Sequence, residues 1–435
     1  MTEELTPVLL AGVDAYVKDT PVTESGDFAA SMEELAELAK ACFYDPMGTV
    51  TQKLDAPNPA LYIGPGKVRE IKETAEELGA ALVVFNDTLS PTQMRNLKDE
   101  LDLPVLDRTG LILDIFEKRA RTREAKLQVE TAKLQYLLPR LTGLHEALTR
   151  QGGTSGSMSS RGAGETKLEL DRRHIEHRLT ELNRDLKQIV KDRETMRKKR
   201  LNSGIPRVAL VGYTNAGKST ILNSLLSQTG QDDAKKVFEA DMLFATLDSY
   251  TRLIAPADGR DFLLTDTVGF IHKLPAGLIK AFRSTLEEAV NADLLLLVAD
   301  YADPGYPEQI EVTKNTLAEI GAGDIPRVVV YNKCDRREGV TYPRVRTGND
   351  LSVPDRIYVS AKEDASLQLL TRLVCDTVYR HYVEATFLIP YSASAAASQV
   401  MQEAHVSVTE YKEEGTLLTA RCPKSLVERF RQYLL

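Results

Sequence analysis

The stretch Gly212-Tyr213-Thr214-Asn215-Ala216-Gly217-Lys218-Ser219 limits the possible folds more than any other part of the chain. It matches G-x-x-x-x-G-K-[ST], a pattern that carries meaning between a buried strand and a helix. Residues 207–211 form an apolar run that reads as that strand, and the residues from Lys218 onward read as the helix. In such a turn, glycines let backbone N–H groups crowd around phosphate oxygens at the positive end of a helix. Gly212, Asn215, Ala216, Gly217, Lys218, Ser219 and Thr220 are therefore the candidates for phosphate contacts. Lys218 would reach the β- and γ-phosphates, and the Ser219 hydroxyl would ligate Mg²⁺. Further strand-like runs at 262–265, 294–299, 328–331 and 357–359 alternate with helical stretches. The alternation predicts a doubly wound parallel sheet over residues 205–380.

Other motifs follow along that sheet. Asp266-Thr267-Val268-Gly269 begins 48 residues after Lys218. Asp266 is expected to hold Mg²⁺ through water, and the Gly269 N–H to sense the γ-phosphate. Thr246, between the two motifs, is the candidate switch threonine for the metal. Lys218, Thr246 and Gly269 are thus the catalytic candidates. Asn332-Lys333-Cys334-Asp335 ends a later apolar strand. A carboxylate at Asp335 can accept both the ring N–H and the exocyclic amine of guanine, a donor pair that adenine lacks. GTP or GDP, rather than ATP, is the expected ligand. Val359-Ser360-Ala361-Lys362 closes the set, with the backbone of Ser360 and Ala361 facing the guanine oxygen. Asn332, Lys333, Asp335, Ser360 and Ala361 are the guanine-binding candidates.

The residue after Gly269 is Phe270, where Ras-like switches place a glutamine that orients the attacking water. A phenyl ring cannot hydrogen-bond water in that way, so intrinsic hydrolysis is expected to be slow unless a partner completes the site. Asn215 is a candidate for helping to bind a monovalent cation such as K⁺ beside the phosphates.

A chain of 435 residues exceeds one ordinary domain. Residues 1–115 read as a small α/β subdomain, with a buried strand at 81–85 between helices at 67–78 and 91–101. Inside it, Gly64-Pro65-Gly66-Lys67 opens a helix, either as a tight turn or as an anion-holding start. Residues 383–435 support a small C-terminal α/β appendage. The four cysteines lie far apart without a C-x-x-C pair, so neither a disulfide framework nor a thiolate zinc site is expected. No apolar run reaches the length of a membrane span, and the expectation is a cytoplasmic monomer. His174 and His177, three apart on a helix, read as a solvated face.

The net charge of −8 is unevenly distributed. Residues 118–200 hold 21 Lys and Arg against 11 Asp and Glu, a local +10, which leaves −18 for the remainder. Such a basic middle is either a solvated pair of charged helices or a polyanion-binding element. Ala120, Leu127, Leu134 and Leu141 recur every seven residues, and Ile175, Leu179, Leu182, Leu186 and Ile189 step by four and three. Two helices using those seams would pack as an antiparallel arm over 116–200. Pro139 should kink or end the first helix. The glycine- and serine-rich residues 151–166 read either as a linker or as a mobile tip loop. Arg150, Arg161, Lys167, Arg172 and Arg173 are the RNA-contact candidates around it.

Several stretches outside the nucleotide motifs resemble the HflX family of GTPases. They include Gly64-Pro65-Gly66-Lys67, Asn86-Asp87, Leu89-Ser90-Pro91 with Gln93, Asp107-Arg108-Thr109 and Ile115-Phe116-Glu117-Lys118-Arg119-Ala120. Residues 125–130, 134–141, 161–166 and Asp171-Arg172-Arg173 continue the likeness along the arm. Phe244-Ala245-Thr246-Leu247-Asp248 resembles the family's first switch, and Phe270 fits a hydrophobic residue found there in similar GTPases. The tip departs from the pattern at 154–160, which is richer in serine and carries Met158. The resemblance implies a GTPase that binds the large ribosomal subunit and its RNA and acts in ribosome splitting or rescue. It also implies an N-terminal α/β subdomain whose arm reaches toward the peptidyl-transferase region. Two other readings stay open: a GTPase acting on a ribosome-assembly intermediate or another RNA, and a nucleotide-gated RNA-binding module whose turnover is incidental.

Overall fold

The computed structural model describes residues 5–15, 25–151, 158–201, 205–229, 243–244, 250–273, 283–347 and 354–435. They fall into two compact units. The first draws its described residues from Met1–Lys187, Ala240–Asp248 and Ile271–Arg283, and the second from the rest.

In the first unit, β1 (Thr6–Ala15), β2 (Tyr44–Leu54), β3 (Leu82–Phe85) and β4 (Val105–Asp107) form a parallel sheet in the order β2-β1-β3-β4. β1 is buried on both faces. Leu9, Ala11 and Val13 meet α2 (Pro65–Leu78) and α3 (Pro91–Leu101). On the other face Gly12 lets Met32 of α1 (Ser25–Ala41) approach, since a Cβ there would lie 2.5 Å from its sulfur. The helix starts are written in the sequence. Pro65 and Pro91 occupy first-turn positions, and Ser90 and Gln93 form a reciprocal capping box. Asp107 caps α4 (Arg108–Arg119) by accepting from Gly110 N at 2.8 Å.

The arm is built from α5 (Arg123–Gln151) and α6 (Met158–Leu201). Arg178 of α6 forks onto Glu130 of α5 at 2.7 and 3.1 Å, and Leu182 is buried. Two expectations need correction. Pro139 does not end the first helix but lies inside α5. The Arg140 guanidinium, one residue on, donates to the Tyr136 carbonyl at 2.7 Å, the Leu89 carbonyl at 3.1 Å and Asp107 Oδ2 at 3.0 Å. Residues 158–166 of the expected tip loop are helical in α6, and 152–157 lie outside the described residues. Extending a long helix gains one hydrogen bond per residue fixed, which offsets the roughly 1 kcal/mol that each glycine costs.

The second unit holds a seven-stranded sheet in the order β10-β11-β9-β8-β5-β7-β6. Its strands are β5 (Arg207–Gly212), β6 (Tyr250–Ile254), β7 (Phe262–Asp266), β8 (Leu294–Asp300), β9 (Arg327–Asn332), β10 (Arg344–Thr347) and β11 (Pro354–Tyr358). The five central strands run parallel, and β6 and β10 close the two edges antiparallel. α7 (Lys218–Gln228) covers one face with a helix over Asp364–Val378, burying Ile221, Leu225, Leu370 and Val374 against Leu210, Leu296 and Val330. Helix Tyr306–Glu319 packs on β8 and β5 from the other face, with Leu317 fully buried. The C-terminal strands β12 (Tyr382–Ile389), β13 (His405–Lys412) and β14 (Gly415–Pro423) form an antiparallel sheet around Phe387, Leu418 and Val400.

Candidate nucleotide-binding site

The phosphate loop leaves β5 and enters α7 through Gly217, whose φ of +93° belongs to the left-handed region that favours glycine. A Cβ at Gly217 would come 2.3 Å from Asn332 Nδ2, so glycine is also demanded by close packing. Lys218 is buried, and its ammonium donates to the carbonyls of Gly212 at 3.1 Å and Tyr213 at 2.7 Å. Burial pushes its pKa down to about 8, against the pull of Asp266. A phosphate oxyanion in the loop would offer this ammonium a full negative charge in place of neutral carbonyls. Thr220 follows in the first turn of α7, and Asn215, at the loop's apex, is exposed.

Ser219 Oγ donates to Asp266 Oδ2 at 2.6 Å, which brings two hard oxygen donors from α7 and β7 to one point. Their chemistry suits Mg²⁺, which prefers an oxygen shell. Thr246 lies outside the described residues. Beyond Asp266 the chain lies directly against the loop. Phe270 N donates to Gly212 O at 3.1 Å, and Thr214 N donates to Phe270 O at 2.8 Å. Gly269 allows the approach, because a Cβ there would sit 2.8 Å from Thr214 Cα. The Phe270 side chain is buried and so contributes packing to the switch.

On the guanine side, Asn332 joins two loops. Its amide nitrogen donates to Ala216 O at 3.0 Å, and its oxygen accepts from Ala361 N at 3.0 Å. Lys333, in the left-handed region, pairs with Asp300 Oδ2 at 2.8 Å, and the Asp335 carboxylate stands exposed. Ser360 N donates to Ser366 Oγ at 3.1 Å, so the backbone N–H groups of both Ser360 and Ala361 are engaged within the fold. Asp300 and Ser366 escaped the sequence reading. Asp300, a carboxylate at the C-terminal end of a central parallel strand, was the findable one.

A second set of polar residues lies at the C-terminal end of the first unit's sheet. Arg108, fully buried, donates to Glu34, to Asn86 Oδ1 at 2.9 Å and to the His272 carbonyl at 3.1 Å. Lys273 pairs with Asp87 at 2.6 Å, and the Phe244 ring packs edge-on against Phe116 at 4.7 Å. Phe244 and residues 271–273 therefore belong to the first unit. Of the RNA-contact candidates, Arg172 and Arg173 pair with Glu176 and Glu169 along their own helix. The side chains of Arg150, Arg161 and Lys167 lie outside the described residues. Among the described residues no helix is long and apolar enough to cross a membrane, and all four cysteines are free and buried.

Comparison with known proteins covers nearly the whole chain. Residues 29–117 match the family "GTP-binding GTPase N-terminal", 119–200 "GTP-binding GTPase Middle Region" and 207–333 "50S ribosome-binding GTPase". The GTPase HflX of Caldanaerobacter subterraneus subsp. tengcongensis is 42% identical over 414 residues, 95% of this chain and 92% of that protein. The GTPase HflX of Escherichia coli K12 is 38% identical, over 95% of this chain and 94% of its own. A GTP-binding protein from Sulfolobus solfataricus, solved in complex with GDP, is 26% identical with a TM-score of 0.44, covering 85% of this chain and 99% of its own. With a phosphate loop, an N-K-x-D strand end and an S-A-K turn gathered on one parallel sheet, and with this identity sustained over almost the full length, the chain belongs to the HflX family of GTPases.

Proposed function

We propose that this GTPase is a switch that binds the large ribosomal subunit and acts in splitting or rescuing ribosomes. The observation that carries the reading is one of combination. The domain similar to a 50S ribosome-binding GTPase shares its chain with a paired-helix arm whose stretch, 118–200, is +10 in a protein of −8. In this reading the backbone from Gly212 to Thr220 cradles the phosphates, and Lys218 leaves its two carbonyls for the β- and γ-phosphates. Mg²⁺, held by Ser219 and Asp266 with Thr246, would neutralise charge building between the β- and γ-phosphates. Asp335 takes the guanine N–H pair, while Asn332 keeps the phosphate loop and the Ser360-Ala361 turn in register. Gly269 N–H reads the γ-phosphate. With Phe270 buried, no side chain at that position orients water, so hydrolysis is slow until the subunit completes the site. Asn215, exposed at the loop's apex, is the candidate partner for a K⁺ ion. Arg150, Arg161 and Lys167 of the arm meet ribosomal RNA, and Arg172 and Arg173 do so only where a phosphate replaces Glu176 and Glu169.

The test is GTP hydrolysis by the full chain with and without purified large subunits, with ATP as a control. A partner that completes such a site can accelerate hydrolysis by roughly 10³ to 10⁵. Strong stimulation with GTP alone is expected. A fast rate without subunits, or a slow one that subunits leave unchanged, would overturn the reading.

A further inference from the structure

The edge of the seven-stranded sheet carries a surface that the nucleotide site does not use. β10 reads Arg-Val-Arg-Thr and β11 reads Pro-Asp-Arg-Ile-Tyr, so alternation places their arginines on one face and Val345 and Ile357 on the other. The register confirms the division. Arg344 lies opposite Tyr358, Val345 opposite Ile357, and Arg346 opposite Arg356, while Tyr358 in turn lies beside Tyr331 of β9. Ile357 and Val330 go into the core, and Arg346 and Arg356 are exposed.

Tyrosines floor this face. Tyr331 and Tyr358 stack at 4.7 Å with 17° between their planes, and the Tyr301 ring stands edge-on to them at 5.1 and 5.2 Å. Guanidinium groups lie over these rings, Arg344 at 4.3 Å from the Tyr358 centroid and Arg337 at 4.2 Å from that of Tyr301. Arg337 also donates to Tyr301 O at 2.8 Å, which fixes it in place. Asp355 offsets part of the charge by pairing with Arg356 at 3.1 Å. Arg346 and Arg356 are nonetheless a like-charged pair directly across two strands, an arrangement that weakens a sheet. Arg344 Nε is buried without a hydrogen-bond partner among the described residues.

We infer that this face is an RNA-binding surface that grips the phosphodiester backbone. The exposed Arg346 and Arg356 each carry a planar N–H fork, the geometry that suits phosphate oxygens. Residues two apart on a strand are separated by about 6.6 Å, comparable to successive phosphates of a nucleic-acid strand. Tyr301 and Tyr331, partly exposed at the margin of the floor, offer unpaired bases something to stack on. For the identity of the RNA the inference rests on the ribosome reading; the RNA chemistry rests on the face itself.

The test uses the full chain, with intact large subunits and their protein-free RNA as separate probes, across a salt series. The charge reversal R346E/R356E is expected to weaken binding to both at least tenfold and to flatten the slope of log affinity against log salt by about two, since each phosphate contact contributes roughly 0.9. Basal GTP hydrolysis should be unchanged. The neutral pair R346Q/R356Q guards against misfolding: it removes the cross-strand repulsion, so its melting temperature should not fall while RNA binding does. Variants that bind both probes like the wild type would overturn the inference and leave the ribosome reading standing. Loss of binding to intact subunits alone would mean that the face docks a ribosomal protein, and would also overturn it. A wild type whose binding to free RNA is sensitive to the variants but which ignores intact subunits would keep the inference and remove the ribosome reading. A wild type that binds neither removes both.

Discussion

Asn332 shows how much one buried amide can do. Its two ends bridge the phosphate loop and the Ser360-Ala361 turn, and the glycine beneath it exists to make room. Gly217→Ala should therefore fail twice, through a strained φ and through displacement of Asn332. A loss of roughly 1–3 kcal/mol for the backbone strain alone is expected, together with loss of GDP binding, measured by thermal melting with and without nucleotide. Gly66→Ala makes the contrast. That glycine lies inside α2 with nothing within 4 Å of a Cβ, so the change should raise stability by roughly 0.5–1 kcal/mol. The candidate nucleotide-binding residues were nameable because short motifs encode local geometry. The network of Arg108, Glu34, Asn86 and His272 was not, since it joins four distant stretches whose residue types are ordinary in themselves.

In the seven-stranded sheet the five central strands were legible and the edges β6 and β10 were not, and in the first unit the buried central strand β1 was not read either. β8, Leu-Leu-Leu-Leu-Val-Ala-Asp, is buried on both faces and carries an uninterrupted apolar signal. The long edge strand β2 exposes alternate residues and has Pro46 and Gly48 among its first positions, and β10 is only four residues long. A proline lies inside α5, and the residue after it, Arg140, ties the helix to Leu89 and Asp107, contacts that no local rule contains. Arg108→Leu removes a buried charge and leaves Glu34 unbalanced, so a loss of roughly 3–5 kcal/mol is expected. Lys273→Ala breaks a more exposed pair and should cost at most about 1 kcal/mol. Urea unfolding monitored by circular dichroism distinguishes the two, and equal losses would contradict the assignment.

For the whole molecule, charge and arm length act together. α6 alone, at 44 residues, spans about 66 Å. Arg172 and Arg173 already neutralise neighbouring glutamates, so not every basic residue of the arm is available to a phosphate. Shortening residues 151–166 should leave basal GTP hydrolysis and melting temperature unchanged while ribosome dissociation falls, as followed by sucrose-gradient sedimentation. Undiminished dissociation would reduce that stretch to a linker.

The interleaving of the two units has a consequence for how the chain is made. Lys273, which closes onto Asp87, emerges 86 residues after Lys187, where the first unit's continuous stretch ends. At 5–20 residues per second, translation leaves that unit unfinished for about 4 to 17 s. Throughout that interval Arg108 lacks the His272 carbonyl and Phe116 lacks at first the Phe244 ring. The nascent chain therefore carries an incomplete N-terminal half until its nucleotide-binding half has been synthesised past the Asp266-Thr267-Val268-Gly269 stretch, and a product truncated at residue 200 would keep that defect permanently.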